Sequence, residues 1–246
     1  MFVVFFERRT QIRMAVAFLF LLAVVSVRVG TITSYHAVQA RGGLVPIRSV
    51  KTSQEQIALS FDLNEGQHTL IEVLDVLQSE DVRATFFVNG AWAESHPDLV
   101  QRMHQAGHEV ANGGYSADKH PALGPQGVAE SIGQAHRSLE EALAEEPTAL
   151  FRPPGGYSNS MVVNAALDEG YHTVLWRLDS RDSVTTHAQR TIKWVTHRAR
   201  AGDIIRFSAN DAGHQATPIL IGVIAALREH GITLMTVGDL IRNAKD

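Results

Sequence analysis

The chain has 246 residues, 45% of them hydrophobic and 20% charged, enough apolar material for one substantial core and an appendage. A formal net charge of -4 leaves no polycationic surface of the kind nucleic-acid binders carry, so nucleic acid is set aside as a partner. There is no cysteine, which excludes disulfides, thiolate nucleophiles and cysteine metal sites.

In the first segment, residues 1–30, Arg8, Arg9 and Arg13 precede an uncharged and mostly apolar run from Met14 to Val27. A cationic flank before such a run is the pattern of a signal anchor held in the membrane, with a cleaved signal as the alternative. As a helix the run spans about 21 Å, short of a hydrocarbon core of roughly 30 Å, so Val29 and Ile32 are needed to complete a crossing. Ala37-Val38-Gln39-Ala40 is a candidate cleavage site, although far beyond the apolar run. Either reading places the remainder outside the cytoplasmic membrane. Residues 31–55 lack periodicity, contain Gly42-Gly43 and Pro46, and read as a linker.

From residue 56 to 246, short β-type runs alternate with amphipathic segments. Strands are predicted at 57–61, 84–88, 108–112, 148–151, 171–176, 203–207 and 232–236; helices at 68–78, 97–106, 125–144, 186–200 and 217–230. Gly107, Gly170 and Gly231 sit where helices close. This alternation predicts parallel pairing with right-handed crossovers, in a distorted, incomplete (β/α) barrel of about seven strands behind one N-terminal membrane helix. Chemistry in such barrels sits where strands end.

The first strand is followed by Asp62-Leu63-Asn64-Glu65-Gly66 and the third by Asn112-Gly113-Gly114-Tyr115-Ser116-Ala117. After the fourth comes Arg152-Pro153-Pro154-Gly155-Gly156-Tyr157, after the fifth Asp179-Ser180-Arg181-Asp182, and after the sixth Ser208-Ala209-Asn210-Asp211. This order resembles the five motifs of the polysaccharide deacetylases (NodB-homology, carbohydrate esterase family 4), over roughly residues 55 to 245. The phrases ATFFVNGAWAESHPDLVQRMHQAGHEV and ITLMTVGDLI add to the likeness, which is greatest with the sporulation PdaB-like branch.

The resemblance implies metal-assisted hydrolysis of the N-acetyl amide of amino-sugar polymers, on cell-wall or spore-cortex polysaccharide, with a divalent cofactor such as zinc. It puts Asp62 in the general-base position, Arg152 where an arginine orients that base, and Asp182 where an aspartate tunes the catalytic histidine. The metal positions hold Leu63, Gly113 and Ala117, the general-acid histidine aligns with Ser208, and Arg206 stands where a pocket-forming leucine is usual. No metal site is therefore expected from the family's ligands. Bound metal lowers the pKa of water from about 15.7 to about 7, a change that general-base help worth about 10² to 10⁴ in rate does not replace. The sequence leaves two readings open: a deacetylase with impaired or altered catalysis, or an inactive, membrane-tethered glycan-binding or scaffolding protein of the spore or cell envelope.

Other residues have roles to be weighed. Asp118 with His120, and Asp211 with His214, are the pairs that could rebuild a metal site, against the plainer reading of solvated loop groups. Pro154, Tyr157, Tyr115 and Trp176 are candidates for a sugar cleft, since aromatic faces pack on pyranose rings. His104 and His108 have i, i+4 spacing, but Gly107 breaks the shared face, and both read as structural. Trp92 and Trp194 are assigned to packing. Ser208 lacks a nucleophile-elbow sequence around it.

Overall fold

A computed structural model describes residues 45–117, 122–211 and 215–244. The N-terminal run read as a membrane anchor lies outside the described residues, as do Asp118, His120 and His214. Among the described residues no helix is long and apolar enough to cross a membrane.

The fold is a curled, all-parallel sheet wrapped by helices. Its strands are β1 (Gln56–Leu63), β2 (Thr85–Val88), β3 (Glu109–Asn112), β4 (Thr148–Phe151), β5 (His172–Thr173), β6 (Leu178–Asp179), β7 (Ile204–Ser208) and β8 (Thr233–Met235). Seven run in the order β5-β4-β3-β2-β1-β7-β6, and β8 pairs with the start of β1. The sheet is open between β5 and β6, so the architecture is an incomplete barrel, as the alternation predicts. Around it lie α1 (His68–Ser79), α2 (Gly90–Ser95), α3 (Pro97–Gln105), α4 (Gly124–Leu143), α5 (Ser160–Asp168), α6 (Ala188–Arg198), α7 (Ala216–Glu229) and α8 (Val237–Asn243).

The period-2 alternation of strands divides the core in two. On β1, Ile57, Leu59, Phe61 and Leu63 face outward and join Phe86, Val88, Ile205 and Phe207 under the helices. Ala58 faces inward with Phe87, Ala111, Leu150, Val174 and Ile204, and α8 closes that interior with Val237, Leu240 and Ile241. Ser60 and Asp62 alternate with the outward set and therefore continue the inward column. Register places Ser60 beside Arg206 and Asp62 beside Ser208 on β7. Polar side chains enter the barrel at two levels: Ser60, Asp62 and Arg206 toward the strand ends, and Thr85 and Glu109 under the start of α8.

Two departures from the sequence reading have local causes. The strand predicted over 171–176 is realised only at His172–Thr173, after which the chain leaves the sheet. There the carbonyls of Val174 and Leu175 accept hydrogen bonds from the Arg152 guanidinium, and the Leu175 amide donates to Ile47. Within residues 45–55, assigned to the linker, Ile47 and Val50 are buried, Ile47 bridges Val174 and Ser49 bridges Asp203.

Candidate active site

The site is built on the Arg152 guanidinium, which is buried at the end of β4, where Pro153 fixes the following turn. Its Nη1 donates to Asp62 Oδ1 at 2.9 Å and its Nη2 to Ser60 Oγ at 2.9 Å. The Phe87 ring lies 3.9 Å from the guanidinium carbon and Trp176 lies 5.3 Å away. Four of its five N–H donors are therefore used, and aromatic rings lie against its face.

A second arginine completes the cluster. From the inward face of β7, Arg206 Nε donates to Asp62 Oδ2 at 2.6 Å, and Nη1 reaches Asp179 at 3.2 Å. Its guanidinium lies 5.0 Å from the Trp176 ring, so one indole supports both cations. Asp62 thus has each carboxylate oxygen held by a different guanidinium. Burial pushes its pKa up, but the charges of Arg152 and Arg206 outweigh this and hold the group below its ordinary value. A base works by accepting a proton at an oxygen with a free lone pair aimed at the reacting atom. Here each oxygen already accepts one arginine N–H and keeps one further lone pair, and the lowered pKa makes the carboxylate a weak base.

Asp182 is buried and accepts hydrogen bonds from the Ser208 amide at 3.1 Å and from the Ser180 hydroxyl. Burial raises its pKa. The aspartate expected to tune a histidine instead fastens the backbone at Ser208. Around Asp62 and the two arginines is a small pocket of about 120 Å³, lined also by Leu63, Phe87, Asn89, Gly113, Pro154 and Asn210. The buried Nδ2 of Asn89 has no hydrogen-bond partner there.

The other sugar-cleft candidates are dispersed. Trp176 packs under the loop that follows β4, where Gly156 has φ +72 and any Cβ would lie 2.5 Å from the indole. Tyr157 is exposed at the rim. Tyr115 points elsewhere, into a groove between α2 and α4, where its hydroxyl meets Glu94 at 3.2 Å. The charge of Glu94 raises its pKa.

The residues present do not fit a family-type divalent metal centre. Leu63 is apolar and buried in the helix-facing core, Ala117 offers a methyl group, and a Cβ at Gly113 would lie 2.9 Å from the Val88 carbonyl carbon and oxygen. Among the described residues no group of three His, Asp or Glu side chains converges. Asp211 is spent locally: it accepts from the Thr69 amide at 2.8 Å and the Gln67 amide at 3.2 Å, at the start of α1. His108 is buried beside Phe86, its Nδ1 accepting from the Ala84 amide at 3.3 Å, and burial lowers its pKa to about 4. Trp92 ties α2 to the loop after β1 through a 2.7 Å bond to Gly66 O.

Sequence reasoning noted Arg206 only as a replaced leucine and passed over Ser60, Asn89 and Asp179. The signal was there in part. A charged residue two positions from Ser208 on a predicted buried strand must face the same side as Asp62.

A curled parallel half-barrel with its charged cluster at the strand ends defines a class of barrel proteins with a carboxylate-centred site. Within it, the chain belongs to the polysaccharide deacetylase family, whose sequence profile matches residues 49–174. It is 30% identical to a peptidoglycan-N-acetylglucosamine deacetylase of Bacillus cereus, over 78% of this chain and 91% of that protein. It is 33% identical to a chitooligosaccharide deacetylase of Sinorhizobium fredii, over 63% of this chain and 72% of that protein. Among solved structures, the peptidoglycan deacetylase PdaC of Bacillus subtilis is similar with a TM-score of 0.70 and 26% identity, covering 80% of this chain and 94% of that one. A CE4 family pseudoenzyme from Bacillus anthracis superposes with a TM-score of 0.76 at 23% identity, over 82% of this chain and 70% of that one, a likeness of fold.

Proposed function

We propose that this chain binds N-acetylated cell-wall glycan in the Asp62 pocket without the family's metal-assisted deacetylation. The observation that carries the reading is Asp62 itself, clamped by Arg152 and Arg206 on both oxygens in a pocket whose metal positions offer no ligand. Supporting it, Pro154, Phe87 and Asn89 line that pocket, and Trp176 lies beneath the loop after β4. The relatives act on peptidoglycan and chitooligosaccharide, which share the N-acetyl group.

The place of action is the cell envelope, with the Met14 to Val27 run as the membrane tether, and the PdaB-like resemblance directs attention to the spore cortex. Calorimetric titration of the purified protein with chitooligosaccharide and peptidoglycan fragments, alongside acetate assays with zinc, cobalt, nickel or manganese, tests the proposal. Binding that Asn89→Ala weakens, with no acetate released, is the expected result. Metal-dependent acetate release that Asp62→Asn abolishes would return the chain to the enzymes.

A further inference from the structure

We propose that the groove between the β6 end and α6 is a second binding site, which takes carboxylate groups carried by a glycan strand; this rests on the glycan reading of the Asp62 pocket. The groove has a volume of about 290 Å³ and is lined by Ser180, Arg181, Val184, Arg190, Thr191 and Trp194. It is outside the pocket yet contiguous with it through the chain. Asp179 holds Arg206 at the pocket, and the next two residues, Ser180 and Arg181, line the groove.

Charge sets the ligand class. From Ser183 to Gly202 there is no acidic residue, whereas Arg190, Lys193, Arg198 and Arg200 fall within that stretch of a chain whose net charge is -4. Positive charge is concentrated on the one helix that borders the groove. Among the described residues no carboxylate pairs with Arg181, Arg190, Lys193 or Arg198. Arg181 and Arg198 instead stack on Trp194, at 5.4 and 5.1 Å from the ring. Of these two, Arg181 lines the groove, and the stacking holds its fork in place there, ready for a carboxylate, at little further loss of side-chain freedom. Arg181 reaches the indole from a left-handed backbone position, φ 56, which the Asp179 side chain supports by accepting the Arg181 amide. Val184, 78% exposed, adds an apolar contact at the rim.

A strand long enough to occupy both places presents its N-acetyl group to the Asp62 pocket and its acidic substituents to Arg181 and Arg190. A neutral chitooligosaccharide can use only the first. Two exposed ionic contacts together change affinity by about tenfold, and the gain falls as salt screens them.

The test is calorimetry on the full chain with two glycans of similar length: the neutral N-acetylglucosamine oligomer, and a peptidoglycan strand fragment with free lactyl carboxylates. The expected result is tighter binding of the acidic fragment by about tenfold at low salt. High salt and the double variant Arg181→Gln, Arg190→Gln should each erase that advantage while leaving the neutral oligomer bound as before. Both changes are on exposed side chains, and an unchanged melting curve shows that the variant is folded. Equal affinity for the two glycans, or an advantage that survives the double variant, overturns the groove while leaving the Asp62 pocket standing. If neither glycan binds, the glycan reading fails and takes this proposal with it. Salt-dependent binding of polyglutamate alone, lost in the double variant, would overturn the glycan strand as occupant and leave only an anion-binding groove.

Discussion

The change Arg206→Leu restores the residue type expected at that position and separates a locked carboxylate from a free one. Arg206 gives Asp62 one charge-assisted hydrogen bond of 2.6 Å and holds Asp179 at 3.2 Å, with its side chain 18% exposed. Charged hydrogen bonds of this kind contribute about 1.5–3 kcal/mol each. Asp62 keeps Arg152 and Asp179 is partly solvated, so the net cost should be about 2–3 kcal/mol, after the leucine regains some burial. For a domain of this size that lowers Tm by about 4–12 °C.

The sign with pH follows from the direction of the shift. The folded Asp62 pKa lies below the ordinary 3.8, so its stabilising contribution is present above that value and lost as pH falls through the folded one. The gap between wild type and variant should be full at neutral pH and close in acid. A carbon-13 NMR titration of the Asp62 carboxyl should show its midpoint moving up in the variant. If neither the midpoint nor the neutral-pH Tm moves, Arg206 does not hold Asp62 and the case for a disabled base collapses.

His108, neutral and buried with a pKa lowered to about 4, stabilises the fold above the ordinary 6.5, and that contribution drains away as pH falls toward 4. The loss amounts to about 3 kcal/mol. Urea unfolding of His108→Leu should be flatter across that window, and a slope equal to wild type would place the titrating group elsewhere. Gly113→His forces a side chain against the Val88 carbonyl, 2.9 Å from its Cβ position, and should cost about 1–3 kcal/mol in chemical denaturation; an unchanged midpoint would mean the loop yields freely. Asp211→Ala should destabilise by about 1 kcal/mol through loss of the α1 cap, with metal content by mass spectrometry unaltered, whereas a loss of bound zinc would make Asp211 a ligand.

The barrel was legible because alternation of β-type runs and amphipathic helices is a long-range signal, and the strand ends followed from it. Asp62 and Arg152 were singled out at those ends by their resemblance to the family's motifs. What was lost is short and cooperative: β6 has two residues, and β5 stops after two because the next carbonyls serve Arg152. The α2 segment lies between the predicted strand at 84–88 and the predicted helix at 97–106, and its anchorage depends on the Trp92 bond to Gly66, a contact 26 residues distant. Arg206 was visible as a substitution, but its grip on Asp62 depends on the pairing of β1 with β7, 144 residues apart. Tyr115, a cleft candidate because aromatic faces pack on pyranose rings, has its hydroxyl beside Glu94, a contact the sequence alone does not reveal.

The tight approach of Gly113 to Val88, taken with the arginine clamp, bears on how such a site could be re-engineered or could revert. A histidine introduced first at position 113 meets the Val88 backbone, and a leucine introduced first at position 206 leaves Asp62 half paired. Each single step lowers stability before any ligand set is complete, since Leu63 and Ala117 must change as well. On the reading proposed above, no single substitution completes a family-type ligand set, because positions 63, 113 and 117 must all change, and the space beside Asp62 is already taken by Arg206.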